Sequence, residues 1–249
     1  MAKSDTRYIV GTSGWNYRHW RGSFYPQKLA QRKWLEYYAE HFPAVEMNAT
    51  FYRLFPDSTY DKWHEQAPEG FEYVLKMPRR ISHRKHLDEG LEVLETFLNS
   101  AAHLKEKLGP LLLQIGPHTE ADPHALDRLL TVAAREHPIA VEFRDAQAWI
   151  HNETLAVLGS HDAAIVDADS PKDSFHGHVT ASFAYLRMHG VKDWFAHDYT
   201  EKELDAVVDH IHQHMTGKVK TVYVFFNNDY EGSAPRNARD LSLKLANGE

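Results

Sequence analysis

Apolar residues along this chain gather in short runs of strand length, and longer stretches with apolar positions three or four apart lie between them. The runs are Tyr8-Ile9-Val10-Gly11, Val45-Glu46-Met47-Asn48, Phe71-Glu72-Tyr73-Val74-Leu75 and Leu111-Leu112-Leu113-Gln114-Ile115. Four more follow: Ile139-Ala140-Val141-Glu142-Phe143, Ala163-Ala164-Ile165-Val166-Asp167, Ala184-Tyr185-Leu186-Arg187-Met188 and Thr221-Val222-Tyr223-Val224-Phe225-Phe226. Near-continuous apolar strands belong in a parallel sheet buried on both faces.

The intervening stretches read as helices over 33–41, 58–66 with Ser58 as N-cap, 87–108, 123–137, 153–159, 201–215 and 234–246. The third carries Leu91, Leu94, Phe97, Leu98, Ala101 and Leu104 at helical spacing and stops at Gly109-Pro110. A weaker helix is expected after the sixth strand. Strand-then-helix alternation predicts a parallel α/β sheet. Eight repeats in 249 residues fit a closed (β/α)8 TIM-type barrel better than an open sheet, as one domain over 1–249.

Composition narrows the chemistry. Lys plus Arg number 28 against 35 Asp plus Glu, a formal charge of -7, which disfavours indiscriminate binding of polyanions. Cysteine is absent, so thiolate nucleophiles, disulfides and Cys-ligated zinc are excluded. The first apolar run is too brief for a signal peptide and no run reaches the ~18 apolar residues of a spanning helix, so a cytoplasmic setting with no membrane partner is expected.

In a barrel of this kind the site lies at the carboxyl ends of the strands. Polar residues interrupt the runs there: Glu46 and Asn48, Lys76, Gln114, Glu142 and Arg144, Asp167, Arg187 and His189, then Asn227. Several are two residues apart and so share one side of the sheet. The expectation is one cavity in which these charges converge, with Glu142 facing Arg144 or Arg187. Buried charges need partners or a ligand. An inner salt-bridge network that only fixes the barrel top is the plainer alternative.

Two loops stand out. The first, Gly11 to Pro26, is long and carries Trp15, Tyr17, Trp20, Phe24 and Tyr25 with Arg18, His19 and Arg21. It reads either as a set of stacking surfaces or as a flap that covers the barrel with its own aromatics. The third, Arg79-Arg80-Ile81-Ser82-His83-Arg84-Lys85-His86, is a positive segment on an acidic chain and points to an anionic ligand. The loop after the eighth strand, Asn227-Asn228-Asp229, is a second place for a phosphate. No metal is expected, since Lys76, Arg144 and Arg187 would crowd a cation and no compact ligand motif is present. His210 and His214 share one helix face and read as solvated surface.

Read together, the motifs resemble the YecE-like family, the domain of unknown function 72. The resemblance runs from Tyr8 to about Leu245 and rests on Gly11-Thr12-Ser13-Gly14-Trp15, Trp20, Phe24-Tyr25-Pro26, Val45-Glu46-Met47-Asn48 with Thr50-Phe51-Tyr52, and Lys76-Met77-Pro78 with Ile81-Ser82-His83. Leu108-Gly109-Pro110 with Gln114, Val141-Glu142-Phe143-Arg144, Arg187-Met188-His189-Gly190, Phe226-Asn227-Asn228 and Asn237-Ala238 complete it. Ser82 stands where the family often has Thr, and Gly116 where Pro is usual. The resemblance implies a TIM-type barrel and no reaction.

The residues themselves point to an enzyme acting on a phosphorylated or polyhydroxylated small molecule, a hydrolase, lyase or isomerase without a cofactor. Glu46, Lys76, Glu142 and His189 would be catalytic. Trp15, Tyr17, Trp20, Asn48, Tyr52, His83, Gln114, Arg144, Asp167, Arg187, Asn227 and Asn228 would hold the substrate. The alternatives are a nucleic-acid-binding or phosphodiesterase-like protein, and a ligand sensor without turnover.

Overall fold

The computed structural model describes residues 6–247. Its strands are β1 (Arg7–Ser13), β2 (Ala44–Met47), β3 (Glu72–Lys76), β4 (Leu108–Ile115), β5 (Ile139–Phe143), β6 (Ala164–Asp169), β7 (Phe183–Met188) and β8 (Thr221–Phe226). They pair in chain order and the sheet closes, β8 running parallel to β1. The helices are α1 (Trp34–Ala39), α2 (Ala49–Tyr52), α3 (Asp57–Gln66), α4 (Arg79–Ser82), α5 (Leu91–Ala101), α6 (Pro123–Ala133), α7 (Ala146–Trp149), α8 (Asn152–Ser160), α9 (Glu201–His214) and α10 (Ser233–Asn247). This is the expected (β/α)8 TIM-type barrel. By contacts the chain divides into two compact units, one of Met1–Val45 with Asp167–Glu249 and one of Glu46–Val166.

In the Glu46–Val166 unit, α3 starts one residue earlier than expected, after Pro56, which has no side-chain cap; Ser58 is inside the helix. The helix expected over 87–108 is shorter. A 3-10 turn leads into α5, and a second one over Ala102–Lys107 ends it, broken at Lys105 with φ 52° and ψ −128°. The Lys107 ammonium there donates to the carbonyls of His64 and Ala67, both 2.6 Å away. Gly109 and Pro110 therefore belong to β4 rather than to a helix end.

In the other unit, the segment 170–182 between β6 and β7 contains no helix. Side chains take up the backbone donors that a helix would use: Ser170 Oγ accepts from the amides of Lys172 and Asp173, and Asp167 from those of His176 and Gly177. The aromatic first loop packs on itself. Trp20 and Tyr25 are buried, Tyr25 stacks on Trp34 at 4.7 Å, and Trp20 lies over Tyr38 at 6.5 Å. The flap reading of this loop is the one its packing supports.

Candidate functional site

Register decides which polar residues share a face. On β4 and β5, Gln114 pairs with Glu142, and on β3 Lys76 pairs with Leu112, two residues before Gln114. Lys76, Gln114 and Glu142 thus emerge on one side of the sheet. Glu142 is 2% exposed. Its Oε2 accepts from Gln114 Nε2 at 2.8 Å and its Oε1 lies 3.4 Å from Arg144 Nε. The pairing of Glu142 with Arg144 is as the sequence led us to expect. Lys76, 8% exposed, sets its ammonium 4.1 Å from the centre of the Phe51 ring, a cation–π contact.

His83 completes this group. Its Nδ1 meets Ser82 Oγ at 3.0 Å and its ring stands edge-on to Phe51 at 5.0 Å. Burial, then the charges of Lys76, Arg79 and Arg144, push the imidazole down to about 4, with Glu142 pulling weakly the other way. His83 is therefore neutral at pH 7, facing three cations and one carboxylate.

Gly116 makes room for that ring. A Cβ at Gly116 would lie 2.8 Å from His83 Cδ2 and 2.9 Å from Cγ, and the Gly116 amide donates to the Ser82 carbonyl at 3.0 Å. A proline at this position would have no such donor. Gly116→Ala is expected to turn His83 aside and relieve part of the burial that holds its imidazole near 4. NMR titration of the His83 ring checks this; a midpoint that stays at about 4 would contradict the contact.

The other unit carries a second polar set. Arg187 pairs in register with Phe225, so Arg187, His189 and Asn227 lie on one face. Arg187 and His189 are fully buried. Arg187 Nη1 is 3.4 Å from His189 Nε2, and the Asn227 amide is 3.2 Å from Nδ1. A guanidinium only donates, so Nε2 is the accepting atom of that contact, while the Asn227 amide nitrogen faces Nδ1. Trp194 and Phe195 stand against the same imidazole at 5.6 and 5.8 Å.

Three expected substrate contacts have other duties. Ala140 pairs with Ala164 and Val141 with Ile165, so Asp167 has the parity of Val141, opposite to Glu142. Its carboxylate meets His210 Nε2 on α9 at 2.8 Å, on the helix side. His210 is accordingly not a solvated surface residue: it is paired with Asp167 and stacked on Phe175 at 4.7 Å. Trp20 is 0% exposed and donates its indole N–H to Asp229, leaving no face for a ligand. Asn228, also buried, uses its amide nitrogen to join the His197 carbonyl and Asn237 Oδ1, each at 2.7 Å.

The remaining expected residues differ in exposure. Glu46 is fully buried on β2, Asn48 is half-buried at the start of α2, and Tyr52 is 75% exposed. Trp15 and Tyr17 are half-buried, and the Tyr17 hydroxyl donates to the Ser13 carbonyl. Phe51, Trp194 and Phe195 were not singled out from sequence. Phe51 sits within the Thr50-Phe51-Tyr52 motif, a signal that pointed equally to its exposed neighbour. Trp194-Phe195 carries no motif.

A closed, parallel eight-stranded barrel defines this protein's class, a TIM-type barrel. The family model described as "Protein of unknown function DUF72" matches residues 9–249, and the chain belongs to that family. It is similar to the UPF0759 protein YunF of Bacillus subtilis, 26% identical over 265 residues that cover 93% of this chain and 92% of that protein. It also resembles the UPF0759 protein YecE of Escherichia coli, 28% identical over 64% of this chain and 68% of that one. A solved DUF72 family protein of Thermotoga maritima superposes with a TM-score of 0.83 at 28% identity, over 96% of this chain and 99% of its own. Among the described residues no helix is long and apolar enough to cross a membrane.

Proposed function

We propose that this protein is an acid–base enzyme acting on a phosphorylated or polyhydroxylated small molecule, with the phosphorylated class favoured. The observation that carries the reading is a buried carboxylate, Glu142, placed among Lys76, Arg144 and a neutral His83. In this reading the cations receive the phosphate, Gln114 and Arg144 hold the Glu142 carboxylate in place, and Glu142 moves the proton. His83, uncharged, offers a hydrogen bond without adding repulsion or competing for the proton. The basic loop is less suited to tracking a nucleic-acid backbone, because Lys85 and His86 are turned to Glu120 at 3.0 and 3.4 Å.

The test is a thermal-shift screen with inorganic phosphate and a library of phosphorylated metabolites. A ligand at a hundred times its Kd stabilises by about 2.7 kcal/mol, which in a domain this size raises Tm by roughly 5–10 °C. Lys76→Met should abolish that shift. Equal shifts in the wild type and in Lys76→Met would place the anion elsewhere and end this reading.

A further inference from the structure

The loop after β7 holds an aromatic residue in a conformation that aromatic residues avoid. Phe195 has φ 64°, the left-handed region in which a Cβ crowds the backbone. Strain of this kind persists only where the surroundings impose it, and here they do. The Phe195 amide donates to the His189 carbonyl at 2.8 Å, and the Phe195 carbonyl accepts from the Tyr230 amide at 2.9 Å. Gly190, at φ 104°, fits because a Cβ there would meet the Asp193 carbonyl oxygen at 2.6 Å. Its amide donates to the Tyr199 hydroxyl at 2.8 Å, which in turn donates to Asp169 at 2.9 Å. Asn237 holds both the amide and the carbonyl of Tyr199 at 3.2 Å.

What this framework displays is apolar and faces water. Phe195 is 42% exposed, Tyr230 66% and Val191 41%, while Trp194 is half-buried against Phe195 at 5.6 Å. Folding gains little from a strained backbone that keeps a phenyl ring in solvent. Beneath these rings the His189 imidazole is fully buried between Arg187 and Asn227, and of these three only the half-buried Asn227 amide reaches solvent.

We propose that Trp194 and Phe195 form a rigid shelf for the flat C–H face of a hydroxylated sugar ring, whose hydroxyls bond to the half-buried Asn227 amide. Adjacent hydroxyls each donate and accept, which matches the oxygen and nitrogen of one amide. A pre-formed aromatic surface beside a placed polar group is the usual composition of a small-molecule site. The shelf does not depend on the anion group around His83, and the two proposals fail separately.

Saturation-transfer NMR on the full chain tests it, with a panel of methyl hexopyranosides and pentofuranosides as sugar probes and adenine, which has no sugar, as the base probe. Saturation is expected at the ring C–H protons of at least one sugar, with affinity at least tenfold lower in Trp194→Ala and Phe195→Asn. Asparagine adopts the left-handed conformation readily, so Phe195→Asn should melt within about 2 °C of the wild type. The proposal is overturned by transfer to adenine alone, by no transfer to any sugar, or by binding that both variants leave intact. A Phe195→Asn melting point lowered well beyond that range would also overturn it, by making the ring a packing residue.

Discussion

Asp167→Asn is expected to destabilise the protein by about 3 kcal/mol at pH 7, the cost of removing a buried carboxylate that several hydrogen-bond donors share. In a domain of this size that corresponds to a fall in Tm on the order of 10 °C. Asp167 is 1% exposed and binds four groups at once: His210 at 2.8 Å, the amides of His176 and Gly177 at 2.8 and 3.0 Å, and the His176 ring at 3.6 Å. Asparagine keeps the shape but turns an N–H toward donors, leaving at least one of them unsatisfied. Burial alone would raise the Asp167 carboxyl. The His210 bond, the His176 charge and the two amides outweigh it and hold the group below its ordinary value. The linkage follows from that sign. A carboxyl depressed in the folded state stabilises above its unfolded value, near 4, and loses that contribution as pH falls through its lower folded value. The gap between wild type and Asp167→Asn should thus shrink as pH falls below about 4. Urea denaturation at a series of pH values measures it; a gap that stays constant down to pH 2 would contradict the network described.

Why Asp167 was placed in the pocket from sequence, and Glu142 correctly beside Arg144, is a matter of parity. Strand positions were legible because each run is apolar on both faces, and all eight strands lie within a few residues of their expected limits. That same two-faced hydrophobicity removes the alternation that would tell inside from outside. Glu142 and Arg144 were assigned by their spacing, which fixes that they agree but not where they point. Asp167 needed the register of β6 against β5, a non-local fact. Trp20 failed for another reason: a tryptophan in a long loop is as able to build a mini-core as to stack on a ligand, and its contacts with Tyr25 and Tyr38 come from packing that no local pattern encodes. The absence of a helix over 170–182 was hidden similarly, since Ser170 and Asp167 capture amides through side chains whose direction the sequence does not state.

Glu142→Gln should separate binding from chemistry at the β3–β5 group. Glutamine can still accept from Gln114 through Oε1, although its amide nitrogen then faces the donor Arg144 Nε, and one negative charge leaves the set that acts on His83, otherwise Lys76, Arg79 and Arg144. Two unit charges about 8 Å apart interact by about 2 kcal/mol at the effective dielectric of a partly wet site. Inorganic phosphate should therefore bind Glu142→Gln up to about thirtyfold more tightly than the wild type. Turnover of a phosphorylated compound selected by thermal shift should fall by about 10²–10⁴-fold in kcat, the span assigned to a missing general acid or base. The His83 imidazole supplies a readout that needs no substrate. Glu142 raises its titration and Lys76 lowers it, so Glu142→Gln should move the His83 midpoint below about 4 while Lys76→Met moves it above. Opposite shifts in the NMR titration would fix all three groups in one electrostatic unit. Weaker phosphate binding by Glu142→Gln, or shifts of the same sign in both variants, would mean that the carboxylate and the cations do not act on a common ligand. The acid–base reading would then lose its proton carrier while the anion site remained.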